Sequence, residues 1–413
     1  MDATVLQQTL AAQPVSPDTG DALPAWFTER RRQALVALAQ APWPQRKDEA
    51  WKYTSLHELS RLQPQAVRPD LPAQVEDAAL AFIAGHGVTG HAPPFMRRLA
   101  ELVAAHGDQA GATHLAIDGT GPGDVFDLAN TAFATDGALI DVPAGHADGT
   151  WFRLQVSGVE GGEARHWHLA NRIELGEGAS LRLHLDEDAT SGAGLATLAS
   201  RIRVRRGAHL ELAWTRAAGT MAGIARTRIE LEDDARLTLH LLDAGAAPSR
   251  HDLTVILGGE RAHAELGGVF LLDGRSHADM HLDLRHASPN ATSNTTWRAI
   301  ANGRARAVFD GHITVATGAD GTDAQLGCKS LIGTVQAEVD VRPVLEIYAD
   351  DVKCSHGATV GQLDELALFY LRSRGIGAEL ARAMLLRAFA SEAFGERPDT
   401  PAAQRLAQWL EGA

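Results

Sequence analysis

The stretch Ile173-Glu-Leu-Gly-Glu-Gly-Ala179-Ser-Leu-Arg-Leu183 is echoed by Ile202-Arg-Val-Arg-Arg-Gly-Ala208-His-Leu-Glu-Leu212 and again by Ile229-Glu-Leu-Glu-Asp-Asp-Ala235-Arg-Leu-Thr-Leu239. A fainter copy begins near Val255, so successive units start 29, 27 and 26 residues apart. Each unit is two runs of alternating apolar and polar residues joined by a tight turn, which is the period of a strand. No helix of useful length lies between units. A regular period in this range marks a solenoid, whose neighbouring coils complete one another's core. Parallel stacking of such coils gives a β-helix; a sandwich of antiparallel hairpins is the alternative that the repeat alone leaves open. If equivalent residues stack, Ile173, Ile202 and Ile229 form one inward ladder, and Leu175, Val204 and Leu231 the next. Outside, Glu174, Arg203 and Glu230 line up with alternating charge, each exposed pair contributing about 0.2–1 kcal/mol. Arg201, Arg203 and Arg205 then read as one face of a salt-bridged strand, not a nucleic-acid patch.

Working outward, alternating strands with glycine-rich turns extend from about Thr113 to about Tyr348, and 40 glycines in 413 residues suit so many turns. Helical patterns flank them. Trp26 to Gln40 carries Phe27, Leu35, Val36 and Leu38 among charged residues and stops at Pro42 and Pro44. After the strands, Thr359 with Gln362 forms a capping box, and Leu363, Leu366, Ala367, Tyr370 and Leu371 follow at helical spacing. Arg372, Arg374 and Gly375 end that helix, and a second from Ala378 carries Leu380, Met384, Ala388 and Phe389. Flexible spacers are lacking, so both helices are expected to dock close to the solenoid end. The reading is a mainly β chain: an N-terminal helical domain over 1–112, a parallel β-helix over 113–356 and a C-terminal helical domain over 357–413.

Composition narrows the function. A net charge of −14 argues against nucleic acid, which needs a basic face. No run approaches 18 apolar residues and no export signal is evident, so no membrane association is expected and a cytoplasmic location is. Cys328 and Cys354 are too few for a disulfide framework and read as free thiols in a reducing compartment. No Gly-x-x-x-x-Gly-Lys-Ser/Thr occurs, so the chain should have no ATP site of its own. Gly-x-Ser-x-Gly, Cys-x-x-Cys and His-Glu-x-x-His are missing too, and no enzymatic activity is expected.

The remaining chemistry sits in Cys354-Ser-His356. A soft thiolate and an imidazole suit iron and iron–sulfur chemistry, and on an extended segment they project to one side. A cluster usually takes four ligands. If this pair is functional, the others come from another chain. His166 and His168, and the group His277, His281 and His286, read instead as exposed polar faces of coils.

Three stretches resemble the SufB/SufD family, scaffold subunits of the SUF iron–sulfur cluster assembly machinery. They are Arg46-Lys-Asp-Glu-Ala-Trp-Lys-Tyr-Thr54, the segment from Leu128 to Pro143, and the segment from His281 to Phe389. The last contains Leu345-Glu-Ile-Tyr-Ala-Asp-Asp-Val-Lys-Cys-Ser-His-Gly-Ala-Thr359 and Leu368-Phe-Tyr-Leu-Arg-Ser-Arg-Gly-Ile376. With two cysteines the chain is nearer the SufD branch. The resemblance implies a right-handed parallel β-helix between helical domains, and a cytosolic complex with a SufB-like scaffold subunit and two copies of a SufC-like ATPase. It implies that residues 363–389 dock the ATPase, with Leu363, Leu366, Ala367, Tyr370, Leu371, Ile376 and Met384 as the contact set. The β-helix ends of the two scaffold subunits would pair, and His356, ahead of Cys354, would serve the nascent Fe–S cluster or iron shared across that junction. ATP-driven dimerisation of the ATPase would then open the junction. Two rivals stand beside this reading: a homodimeric iron or cluster carrier acting without SufB, and a polysaccharide-active β-helix enzyme, against which the scattered acidic residues argue.

Overall fold

The structure, a computed structural model, describes residues 4–14, 24–54, 56–57, 59–66, 69–72, 74–103, 124–158, 163–187, 194–216, 219, 221–395 and 397–412. From Ala138 onward the chain alternates between two ten-stranded sheets, adding one strand to each per coil. The first sheet runs through Ala138–Val142, Arg165–Leu175, Gly194–Val204, Ala222–Leu231, Ser249–Leu257, His277–His286, Arg306–Val315 and Glu338–Ile347. The second runs through Ala147–Ser157, Ser180–Glu187, His209–Arg216, Arg236–Asp243, His263–Leu272, Thr292–Ala301, Asp323–Ile332 and Lys353–Gly361. Neighbouring strands in these series pair in parallel. The chain is a parallel β-solenoid, and the antiparallel sandwich does not form.

The register follows the repeat. Ile173 pairs with Ile202 and Ile202 with Ile229, while Leu175, Val204 and Leu231 form the next rung, all buried. Glu174 and Glu230 flank Arg203 on the outside. Arg203 meets Glu230 at 3.5 Å, and Arg205 meets Glu174 at 2.5 Å and Glu232 at 3.1 Å. The repeated turn has a physical cause. Gly178, Gly207 and Asp234 adopt left-handed backbone at φ 64°, 66° and 56°, and each N–H donates to a carbonyl of the next coil's turn. The alanine that follows each, Ala179, Ala208 or Ala235, is buried beneath the stack, where a larger side chain would not fit.

The flanks depart from expectation. Helices α1 (Val5–Ala11) and α2 (Ala25–Gln40) form, but the segment expected to be helical up to residue 112 also contributes strands. Leu80–Ile83 joins the second sheet and Met96–Arg98 the first; the former is a continuous apolar run and the latter only three residues long, so neither shows the alternation of a strand. The expected boundary at 112/113 lies outside the described residues. Helix α3 (Val125–Phe133), capped by the Asp124 carboxylate, interrupts the stretch read as strands.

At the other end come α4 (Glu365–Ser373), α5 (Ala378–Ser391) and α6 (Pro401–Gly412). Thr359 lies within Lys353–Gly361, so it does not cap; Asp364 does, accepting from the N–H groups of Leu366 at 2.8 Å and Ala367 at 3.3 Å. Nor do the helices cluster at the solenoid end. α5, the turn Glu392–Phe394 and α6 pack along the second sheet's outer face, against Ala213, Leu242, Val269, Leu271 and Ile300. That mid-solenoid row is apolar on its outer side, and covering it removes apolar surface from water. Gly267 permits the approach, since a Cβ there would sit 2.0 Å from the Ala393 carbonyl oxygen. No helix among the described residues is long and apolar enough to cross a membrane.

Candidate functional site at the open end

Glu338–Ile347 and Lys353–Gly361 are the last strands of their sheets, each paired on one side only, with Arg306–Val315 and Asp323–Ile332. Among the described residues no strand covers their other edges. Their outward N–H and C=O groups are therefore free to pair with a further strand. The core is open there too. Leu212, Leu239, Leu266, Thr295 and Leu326 form one buried row across the second sheet, and His356 is its next member, exposed. Ala264, Ser293 and Ala324 form the adjacent row, continued by Cys354. The two-residue spacing thus puts thiol and imidazole on the same, inward-facing side of the last strand.

Cys354 is half-buried and packs against the solenoid core. Burial pushes its thiol above the ordinary value, opposed by a backbone hydrogen bond at Ala324. Val339, Val341 and Leu345 line the end from the first sheet, partly buried, while Ile347, Tyr348 and Val360 are exposed. The end is therefore an apolar surface with two soft-metal donors on it. Among the described residues no three His, Cys, Asp or Glu side chains converge as a metal site. Cys328, by contrast, is a core residue, 2% exposed, with its thiol pushed up to about 11 by burial. That environment makes it unreactive.

The histidines expected on exposed faces are mostly buried. His166 and His168 are enclosed under Phe133, with His166 Nδ1 2.9 Å from His168 Nε2 and His166 Nε2 2.6 Å from Gln13 Oε1. His286 is buried and bonded to Ser293 at 2.9 Å. His277 and His281 are partly covered. An outward position on a strand is exposed only if nothing packs over it, and N-terminal segments pack over His166 and His168. His286, by contrast, lies on the inward side of its strand, in register with the core residues Leu257 and Val315.

The expected partner-contact residues divide. Leu366, Tyr370 and Met384 are exposed, whereas Leu363, Ala367, Leu371 and Ile376 are half-buried. Phe369 at 69% and Leu380 at 60% exposure complete the open face with Leu366 at 78%. The signal for Phe369 was present as the i, i+3, i+4 series Leu366, Phe369, Tyr370, which lies beside the stripe chosen from the sequence. Three residues separate Lys353–Gly361 from α4, so this apolar face and the open end are joined directly.

A parallel solenoid with an uncapped, donor-bearing end and an apolar helical face joined to it has the form of an assembly scaffold. Residues 158–389 match the family model described as SUF system FeS cluster assembly, SufBD core domain. The iron–sulfur cluster assembly protein SufD of Escherichia coli is 31% identical over 402 residues, covering 91% of this chain and 93% of that protein. An iron–sulfur cluster assembly SufBD family protein of Synechocystis is 27% identical over 97% of the chain and 93% of its own length. Protein ABCI7, chloroplastic, of Arabidopsis thaliana is 26% identical over 96% and 86%. The chain belongs to the SufBD family of iron–sulfur cluster assembly proteins and is a homologue of SufD.

Proposed function

We propose that this chain is a non-catalytic cytoplasmic subunit of a SufB–SufC–SufD type complex. Its solenoid, wound right-handed as nearly all parallel crossovers are, pairs end to end with that of a SufB-like subunit. The observation that carries this reading is the pair of unpartnered edge strands, Glu338–Ile347 and Lys353–Gly361, which end one inward row on His356 and another on Cys354. A partner's strands would satisfy the free backbone groups and cover the apolar end. Its own donors would complete a ligand set that two residues cannot. The nascent cluster, or the iron and sulfide that build it, is cargo at that junction, held with His356 as the principal contact and Cys354 beside it.

The face formed by Leu366, Phe369, Tyr370, Leu380 and Met384 would receive a SufC-like ATPase. Movement of that ATPase reaches the junction through the three-residue link to Lys353–Gly361. ATP can drive this only by binding one arrangement of the assembly better than another.

The test is the cluster content of the complex co-expressed with SufB-like and SufC-like subunits and purified anaerobically, wild type against His356→Ala. An intact complex that has lost its cluster supports the reading. An unchanged cluster content reduces the chain to an architectural subunit. Recovery of the chain as a homodimer that retains iron without the other subunits would overturn the heteromeric assignment.

A further inference from the structure

The Arg46–Thr54 motif has no role in the site just described, yet part of it crosses the first sheet's outer face. Trp51 is 6% exposed, with the Arg250 guanidinium 4.0 Å from its ring centre. Arg250 Nη1 donates to the Ala50 carbonyl at 2.7 Å and to Asp279 at 3.0 Å. The Thr54 hydroxyl donates to the same Asp279 carboxylate, which is fully buried. Outward-facing Val308, next to Asp279 in register, is also buried.

From this anchor a chain of polar side-chain contacts runs toward the open end. Asp279 meets His281 at 3.1 Å, and His281 meets Asp310 at 3.6 Å. Asp310 accepts a two-pronged contact from Arg342, at 3.1 and 2.5 Å. Arg342 lies on the edge strand Glu338–Ile347, and its remaining nitrogen donates to Glu49. A second connection reaches the same strand, because Arg306 holds Asp340 at 2.7 Å and lies 5.9 Å from the Tyr53 ring centre.

We infer that residues 49–54 form a positioning strap: anchored at Asp279 and Arg250, they hold the outer side of Glu338–Ile347 through Arg342 and Asp340. An edge strand with bonds on one side frays readily. The strap supplies restraint from above, where a partner strand does not interfere. The exposed Glu49–Arg342 pair alone is a weak restraint; it counts because Trp51 and Thr54 fix where Glu49 and Tyr53 sit. This inference rests on the reading of the open end as a pairing surface. It adds that the N-terminal motif tunes that surface without touching the partner.

The test is hydrogen exchange on the full chain carrying Glu49→Gln and Tyr53→Ser, which leaves the Trp51 and Thr54 anchor intact, followed by titration with a SufB-like subunit. The expected result is exchange about five-fold faster in residues 338–347, the factor for a restraint near 1 kcal/mol, with unchanged exchange in 222–231. Pairing should weaken by a similar factor. Unchanged exchange in 338–347 overturns the strap. Faster exchange with unaltered pairing overturns its coupling to assembly, and with it the assignment of this edge as the pairing surface. A Glu29→Gln variant on α2 serves as the control that should move neither readout.

Discussion

His356 stands beside Leu326 in register, one strand past the point where the core closes: Leu326 is 3% exposed and His356 is open to solvent. An imidazole at the end of a leucine row contributes little to this chain's own packing. His356→Leu should therefore shift unfolding free energy by no more than about 0.5 kcal/mol, the range for exposed sites. The same variant should remove the cluster from the assembled complex. Chemical denaturation and iron and sulfide content check the two halves. A large stability loss would mean the residue is structural.

The face around α4 is apolar yet unsupported by the solenoid, so its residues can be changed without unfolding. Leu366→Asp and Phe369→Asp should leave the thermal midpoint of the isolated chain within a degree or two while abolishing capture by the ATPase subunit. Calorimetry of the single chain and co-purification of the complex test this. Retained capture would move the docking site elsewhere.

Gly267 lies under the turn Glu392–Phe394, where an added Cβ would meet the Ala393 carbonyl oxygen. Gly267→Ala should lift α5 and α6 from the second sheet at a cost of about 1–3 kcal/mol. Limited proteolysis would then cut within residues 365–412 and leave the solenoid resistant. A C-terminal region that stays protected would show that the sheet can yield by the needed distance.

His166 makes the fold acid-sensitive. Burial lowers its pKa from 6.5 to about 4. Its Nε2–H donates to Gln13, so Nδ1 must accept from His168, and a further proton there would set two N–H groups face to face. The unfolded chain takes up its proton near pH 6.5 and the folded chain only near 4. Between those values the unfolded state binds more protons, so stability is full above pH 6.5 and falls as the pH drops toward 4. This one site should cost about 2 kcal/mol by pH 5. His184, His240 and His286 are lowered to about 4 by the same cause and steepen the loss. Urea unfolding at pH 7 and pH 5 measures it, and His166→Asn should flatten its share of the slope.

Local patterning carried most of the architecture. The ladders through Ile202 and Val204 were legible because strand alternation and a constant unit length each constrain register, and a slip of one residue would turn every inward side chain out. Helix α3 was not, because nine residues between glycine-rich turns look like one more strand until the Asp124 cap is seen.

Spacing along a single strand or repeat was enough for the repeat unit, its inward ladders, and the placing of Cys354 and His356 on one face, while the choice of parallel coils over antiparallel hairpins needed the pairing between units. What lies over the outer faces is a product of long-range packing. His166 is buried by Gln13, 153 positions away, and Arg250 by Trp51, about 200 positions away. The C-terminal helices lie along the flank because the apolar row from Ala213 to Ile300 is assembled from separate coils. None of these coverings has a local signature, because each is a burial event between segments whose apolar and charged groups become neighbours only when the coils stack.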